Sequence, residues 1–364
     1  MPRAGLNIPI VTALDEAGNL IESDQRRIVR HAIQQGRGAD SLFICGTTGE
    51  YNRLNFQQCR RLLEIGIEET RLVNSLLPKD AAPIEAWAGI TAPTKAETLE
   101  LLELAAQLNA EMAVIAPYAI SDLPSSEILE FFKGEIAERI NSNESLIVGL
   151  YDNPDIVVPQ NAGKNLSDEL IAELKKLPFV ACLKASANRT AFRNYVKNFA
   201  RGADDDFTLY AGNAGLIFEI GEIQREAGLE NSEVAIAGVV AGTANVFPRE
   251  WQQAWQAVVS HDTKKVSIFK ELFAEFESLT GFPGENGYGS KLIGGIKQAM
   301  FHLGIIKSPC VAPGTPALTE IEAQQLNENL DNLISEMRTE FEPQYLSVYE
   351  NEKGRFDSRI QSCD

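Results

Sequence analysis

Eight short apolar runs, each followed by a stretch with helical spacing, constrain this chain more than anything else in its sequence. They are Ile8–Val11, Leu42–Cys45, Ile84–Gly89, Met112–Ala116, Leu146–Tyr151, Val180–Lys184, Phe207–Tyr210 and Val234–Val240. Successive runs lie roughly 25–45 residues apart, the length of a strand plus a crossover helix and its loops. Runs this apolar fit strands covered on both faces, as parallel strands are. Between them, Leu99–Leu108 and Ser167–Leu174 carry apolar residues at helical spacing, the second opened by a serine cap. Eight such units close into an α/β fold, the (β/α)8 or TIM barrel. A doubly wound open sheet is the alternative, and the count favours the barrel.

Beyond the eighth run the pattern is helical only. Pro248–His261 follows the last strand, and Ile268–Leu279, Lys291–Leu303 and Thr319–Met337 form a C-terminal helical extension. The expected organisation is therefore a barrel over 1–262, a helical extension over 263–341 and a polar tail over 342–364. The glycine-rich loop Gly281–Gly289 lacks the Lys-Ser/Thr pair of a phosphate-binding P-loop and reads as a plain turn.

Composition narrows the partners. The 364 residues are 44% hydrophobic and 23% charged, the balance of a globular protein with a sizeable core. A formal net charge of −18 disfavours nucleic acid and anionic lipid. It leaves an anionic small-molecule substrate open, because a few buried donors outweigh a distant surface field. The five cysteines (Cys45, Cys59, Cys182, Cys310 and Cys363) are scattered, odd in number and without CxxC spacing, which fits a reducing cytoplasm. No apolar run reaches about 18 residues, so no membrane span is expected.

In a β/α barrel, chemistry sits at the C-terminal ends of the strands. Those ends carry Gly46-Thr47-Thr48-Gly49-Glu50, Pro117-Tyr118, Tyr151, Lys184 and, after the seventh run, Asn213. Lys184 is out of place, since it ends an apolar run where a charged ammonium is costly to bury. Desolvation lowers a lysine pKa, and a neutral amine attacks a carbonyl to form an imine. A lysine snorkelling from a strand end, or paired with a carboxylate, is the competing reading. Tyr151 is either a proton-transfer group or a core tyrosine bonded to backbone. The Thr47-Thr48 turn either holds a carboxylate on its hydroxyls and N–H groups or is an ordinary strand-to-helix turn. Glu50 and Asp152 are acid/base candidates of the kind that more often cap helices. His31, His261 and His302 lie far apart in helical segments, so neither a metal site nor a Ser-His-Asp hydrolase is expected.

Taken together, these residues resemble the dihydrodipicolinate synthase / N-acetylneuraminate lyase family of class I aldolases. The resemblance runs in order from about Asn7 to Leu326. Gly46–Glu50 resembles the family's substrate-carboxylate loop, Leu150-Tyr151-Asp152-Asn153-Pro154 its tyrosine motif, and Leu183-Lys184-Ala185-Ser186 its Schiff-base motif. Gly238–Asn245 resembles its eighth-strand segment. The resemblance implies Lys184 and Tyr151 as catalytic residues, Lys184 forming an imine with a 2-oxo acid and Tyr151 shuttling protons. It implies Thr47, Thr48, the carbonyl of Val240, Tyr118, Ser186 and Asn213 as the substrate-binding set. It also implies no metal or other cofactor, a small-molecule 2-oxo acid partner, and a homo-oligomer, dimer or tetramer.

The departures bear on substrate. Tyr118-Ala119 replaces the paired tyrosines usual in the synthases, Asp155–Pro159 lacks their substrate-gripping arginine, and Gly212–Gly215 replaces the acidic pair of the sialic-acid lyases. The expected substrate is then another 2-oxo acid, such as a deoxy sugar acid or a hydroxylated aldol product. A synthase-like condensation of pyruvate with an aldehyde is the alternative activity. A 2-oxo acid binding protein without turnover is the alternative from another class.

Overall fold

The structure, a computed structural model, describes residues 1–79, 81–140, 146–199, 206–229, 234–285, 289–351 and 355–359. Eight parallel strands form a closed barrel in sequence order: β1 (Gly5–Pro9), β2 (Ser41–Ile44), β3 (Glu85–Gly89), β4 (Met112–Ile115), β5 (Ile147–Asp152), β6 (Val180–Ala185), β7 (Thr208–Ala211) and β8 (Gly238–Val240). The eight-run reading therefore holds. Two runs differ most: the first, expected over Ile8–Val11, forms a strand over Gly5–Pro9, and the eighth, expected over seven residues, forms one over Gly238–Val240 alone.

Closure occurs where β8 meets β1, with Gly5 opposite Gly238 and Asn7 opposite Val240. Both glycines are sterically required. A Cβ on Gly238 would lie 2.2 Å from the Gly5 carbonyl, and one on Gly5, whose φ is +140°, would lie 2.0 Å from Asp40 Oδ2.

Helices cover the barrel: α1 (Glu22–Ile33), α2 (Phe56–Leu76), α3 (Lys95–Gln107), α4 (Ile128–Phe131), α5 (Ala137–Ile140), α6 (Asp168–Leu174), α7 (Arg189–Phe199), α8 (Ile220–Glu226) and α9 (Pro248–Val259). The ends of several follow from caps visible in the sequence. Ser167 accepts from the N–H of Leu170 at the start of α6, and Asn55 with Gln58 makes a full capping box at the start of α2. After α9 come α10 (Thr263–Thr280), α11 (Leu292–His302) and α12 (Glu320–Glu340), matching the helical pattern read from the sequence. The loop between α10 and α11 has its residues 286–288 outside the described set.

The stretch after α12 is polar in sequence, yet its described part packs on the protein. A short turn, Pro343–Tyr345, leads into the hairpin β9 (Val348–Glu350) and β10 (Phe356–Ser358). Leu346 and Val348 are buried, and Ser347 donates to the carboxylate of Glu250 on α9. Cys363 lies outside the described residues; the other four cysteines are free thiols.

Strand alternation divides the core in two. Leu42, Ile44, Ala86, Ala88, Ala113, Ile115, Leu150, Leu183, Leu209 and Val239 pack outward under the helices. Phe43, Trp87, Met112, Val114, Tyr151, Cys182, Tyr210 and Val240 fill the barrel interior. One irregularity in this pattern decides where Lys184 points. The β5–β6 register shifts after the Val148–Val180 pair, so that Gly149 faces Cys182 and Ala181 is the extra residue. Val180 belongs to the outer core and Cys182 to the inner one. Uninterrupted alternation from Val180 would have turned Lys184 toward the helices. The bulge reverses the parity, and Lys184 follows Cys182 into the barrel.

Candidate active site

Lys184 and Tyr151 are direct neighbours across β5 and β6, paired at their C-terminal ends. Lys184 Nζ lies 3.5 Å from the centroid of the Tyr151 ring and 4.9 Å from that of Phe43. The residue is only 5% exposed. Among the described residues it has no carboxylate within 4.0 Å, so the ion-paired reading of this lysine fails. Burial lowers its pKa, against the opposing pull of Tyr151. The aromatic faces offset part of the desolvation cost while leaving the amine unbonded to any anion.

Tyr151 Oη is the centre of a hydrogen-bonded set. Asn153 Nδ2 donates to it at 2.9 Å, Thr47 Oγ1 lies 3.1 Å away, and Ser186 Oγ donates at 3.5 Å. Burial pushes this phenol up. The charge of Lys184 and the hydrogen bonds from Ser186 and Thr47 outweigh burial and hold it below its ordinary value. Burial thus works toward the neutral lysine, and the phenolate of Tyr151 is favoured while Lys184 carries its proton, so the protonation of the two groups is linked.

Thr47 and Thr48 sit on a turn bracketed by two left-handed residues, Cys45 and Glu50, each with φ of 61°. Glu50 N–H donates to the Thr47 carbonyl at 2.9 Å, and Thr12 Oγ1 donates to the Gly49 carbonyl at 2.6 Å. A Cβ on Gly46 would lie 2.5 Å from the Phe43 ring, so the turn lies directly on the inner core. Among the described residues, no backbone carbonyl accepts from the N–H of Thr47 or Thr48. Both residues are half-buried, leaving two N–H groups and two hydroxyls for a carboxylate.

Glu50 is not a general base in waiting. It is fully buried and ion-paired to an equally buried Lys297 of α11, and it also accepts from the Ala312 N–H at 2.7 Å. Lys297 further donates to the Cys310 carbonyl at 2.8 Å. The C-terminal helices therefore hold the threonine turn from behind. Asp152 is likewise engaged elsewhere: Tyr195, Asn165 and the Leu166 N–H donate to its carboxylate at 2.7, 2.7 and 2.9 Å.

Of the sequence-derived candidates, Thr47, Tyr151, Lys184 and Ser186 come together in one set. Thr48 borders Gly242, just beyond β8, and Val240 is buried in the inner core. Asn213 is exposed at the start of the turn Ala214–Glu219. Tyr118 packs against the outer core, and burial followed by the charge of Asp152 raises its phenol; it is Ala119 that faces the inner core. Sequence reasoning gave no separate role to Asn153, Phe43 or Lys297. Asn153 was visible only as a member of the tyrosine motif. Among the described residues no three His, Cys, Asp or Glu side chains group as a metal site, and no helix is long and apolar enough to cross a membrane.

The dihydrodipicolinate synthetase family model matches residues 3–333. The chain belongs to this family. As a family member it is a lyase, built on the same barrel with a helical extension. A 4-hydroxy-tetrahydrodipicolinate synthase from Dechloromonas aromatica (strain RCB) is 26% identical over 280 residues, covering 74% of this chain and 83% of the relative. Dihydrodipicolinate synthase from Bacteroides thetaiotaomicron superposes with a TM-score of 0.73 at 24% identity, over 91% of this chain and 99% of its own. A catalytic lysine mutant of Ruminococcus gnavus sialic acid aldolase superposes with a TM-score of 0.74 at 15% identity, over 94% and 98%. The last two likenesses are likenesses of fold.

Proposed function

We propose that this protein is a class I aldolase or lyase that acts on pyruvate or another 2-oxo acid through an imine on Lys184. The observation that carries the reading is a buried lysine without a carboxylate partner among the described residues, on the inner face at the barrel mouth, against the ring of a tyrosine whose phenol pKa is depressed. A structural lysine gains nothing from that position, whereas a nucleophilic amine does.

The chemistry follows from the geometry. The N–H groups and hydroxyls of Thr47 and Thr48 take the substrate carboxylate, which places the adjacent 2-oxo carbon toward Lys184. The neutral amine adds to that carbon, and the carbonyl oxygen leaves as water after taking up protons that Tyr151 relays. The protonated imine then accepts the electron pair released when the neighbouring carbon loses a proton or a C–C bond breaks. Thr47, Asn153 and Ser186 hold the Tyr151 oxygen in place through each transfer. Ala119 offers the inner core no hydroxyl at the place where a paired tyrosine would stand, which supports a substrate other than that of the synthases. A homo-oligomer, dimer or tetramer, belongs to the same proposal.

The test is steady-state release of pyruvate from a panel of 4-hydroxy-2-oxo acids, together with loss of water from the same compounds. Turnover of at least one by wild type, absent in Lys184→Ala, is the expected result. Binding without turnover across the panel would instead favour the non-catalytic reading.

A further inference from the structure

The end of the barrel remote from Lys184 has a different character from the rest of this acidic chain. Lys184 stands at the C-terminal end of β6, whereas Arg37 lies in the turn between α1 and β2, ahead of the first residue of β2. Two adjoining cavities share Arg37 in their walls. One, of about 350 Å³, is bounded by Arg30, Arg37 and Arg359 above an apolar floor that includes Val73 and Leu77. The other, of about 400 Å³, is bounded by Arg37, Arg249, Gln252, Gln256 and Tyr345. No carboxylate lines either cavity among the described residues, in a chain with 51 acidic and 33 basic side chains.

Arg30 is neutralised by Glu69. Arg37, Arg249 and Arg359 have no carboxylate within 4.0 Å among the described residues. Arg249 is buried, and its partners are uncharged: Nε donates to Gln34 Oε1 at 2.7 Å and Nη1 to the Gln344 carbonyl at 2.9 Å. Arg359 donates to the carbonyls of Leu346 and Pro343, each at 3.1 Å. The nearby Glu250 carboxyl is taken up by Ser347. Burial, and after it the charges of Arg359 and Arg37, bring the Arg249 guanidinium down to about 10. Guanidinium groups brought together without carboxylates repel one another unless an anion lies between them, and their planar forks suit phosphate and carboxylate oxygens.

We propose that this cleft, between the α1–β2 turn, α9 and the C-terminal hairpin, binds a small anion carrying two or more negative charges: a phosphate ester or a di- or tricarboxylate. The cavity volumes fit a compact ligand. The net charge of −18 turns away a long polyanion such as nucleic acid. The site is separate from Lys184 and stands whether or not that residue forms an imine. A ligand here ties the hairpin residue Arg359 to Arg37 and Arg249, and so stabilises the C-terminal segment against the barrel.

The test uses calorimetric titration of the full chain with inorganic pyrophosphate and, separately, with citrate. Wild type, Arg37→Ala and Lys133→Ala are compared; both substituted side chains are exposed and Lys133 lies away from the cleft. Wild type should bind at least one probe with about one site per chain and melt at a higher temperature in its presence. Loss of a charge-assisted contact in Arg37→Ala should weaken binding about 10- to 100-fold, with Lys133→Ala unchanged. Preference for pyrophosphate or for citrate assigns the ligand to phosphate esters or to polycarboxylates. If wild type binds neither probe at millimolar concentration, or if both variants bind as wild type does or weaken equally, the cleft is not an anion site.

Discussion

Exchanging Lys297 for methionine tests how the C-terminal helices support the threonine turn. Lys297 Nζ donates to Glu50 and to the Cys310 carbonyl, and neither charged side chain has any solvent exposure. Methionine keeps much of the length and removes the charge, leaving Glu50, among the described residues, with the Ala312 N–H as its partner. Removing one member of a buried ion pair costs about 3–5 kcal/mol, because the other charge stays buried without compensation. Set against a total stability of about 5–15 kcal/mol, that is at least about a fifth of what holds a typical protein folded. Urea unfolding followed through the three tryptophans measures it directly. Adding Glu50→Gln removes both charges and should restore most of the loss, so the double variant is more stable than Lys297→Met alone. Because Glu50 closes the turn bearing Thr47 and Thr48, Lys297→Met should also raise KM for the 2-oxo acid more than it lowers kcat. A loss below about 1 kcal/mol, or a double variant no more stable than the single one, refutes this reasoning.

Three other perturbations follow from the same structure. Tyr151→Phe keeps the ring against Lys184 and removes only Oη, so turnover should fall about 10²- to 10⁴-fold with the melting temperature little changed; steady-state rates and a thermal melt check it. Thr47→Val removes a hydroxyl 3.1 Å from that oxygen and one carboxylate donor, and should raise KM by about tenfold; an unchanged KM would exclude the turn as the carboxylate site. Burial holds the Glu250 carboxyl up at about 7 from 4.5, against the hydrogen bonds from Ser347. A carboxyl raised on folding contributes its full stability below about pH 4.5 and loses it as pH rises toward 7, roughly 3 kcal/mol at about 1.4 kcal/mol per pH unit. Wild type should therefore lose about that much relative to Glu250→Gln across this window in urea titrations, and parallel stability curves would contradict it.

The barrel was legible because eight parallel strands buried on both faces must each be an apolar run, and the eight runs recur at the spacing of a strand plus a crossover helix. Helix caps such as Ser167 were legible for the same local reason. Less legible were features set by register and by long-range partners. The inward direction of Lys184 depends on the bulge at Ala181, which a period of two cannot reveal. Lys297 sits in a helical pattern where a lysine ordinarily faces water, and only the fold brings it to Glu50, 247 residues earlier in sequence. Tyr118 and Ala119 differ by one position, and the short turn Pro117–Ala119 sends them to opposite cores. The anchoring of the polar stretch after α12 rests on Leu346, Ser347 and Val348, too few residues to register as an element.

The most direct test of the Lys184 imine is intact mass after incubation with pyruvate and sodium borohydride. Wild type should gain the mass of one reduced pyruvate adduct, mapped by peptide digestion to Lys184, and Lys184→Ala should gain none. An adduct that persists in Lys184→Ala, or no adduct on wild type with any of a panel of 2-oxo acids, would contradict the account.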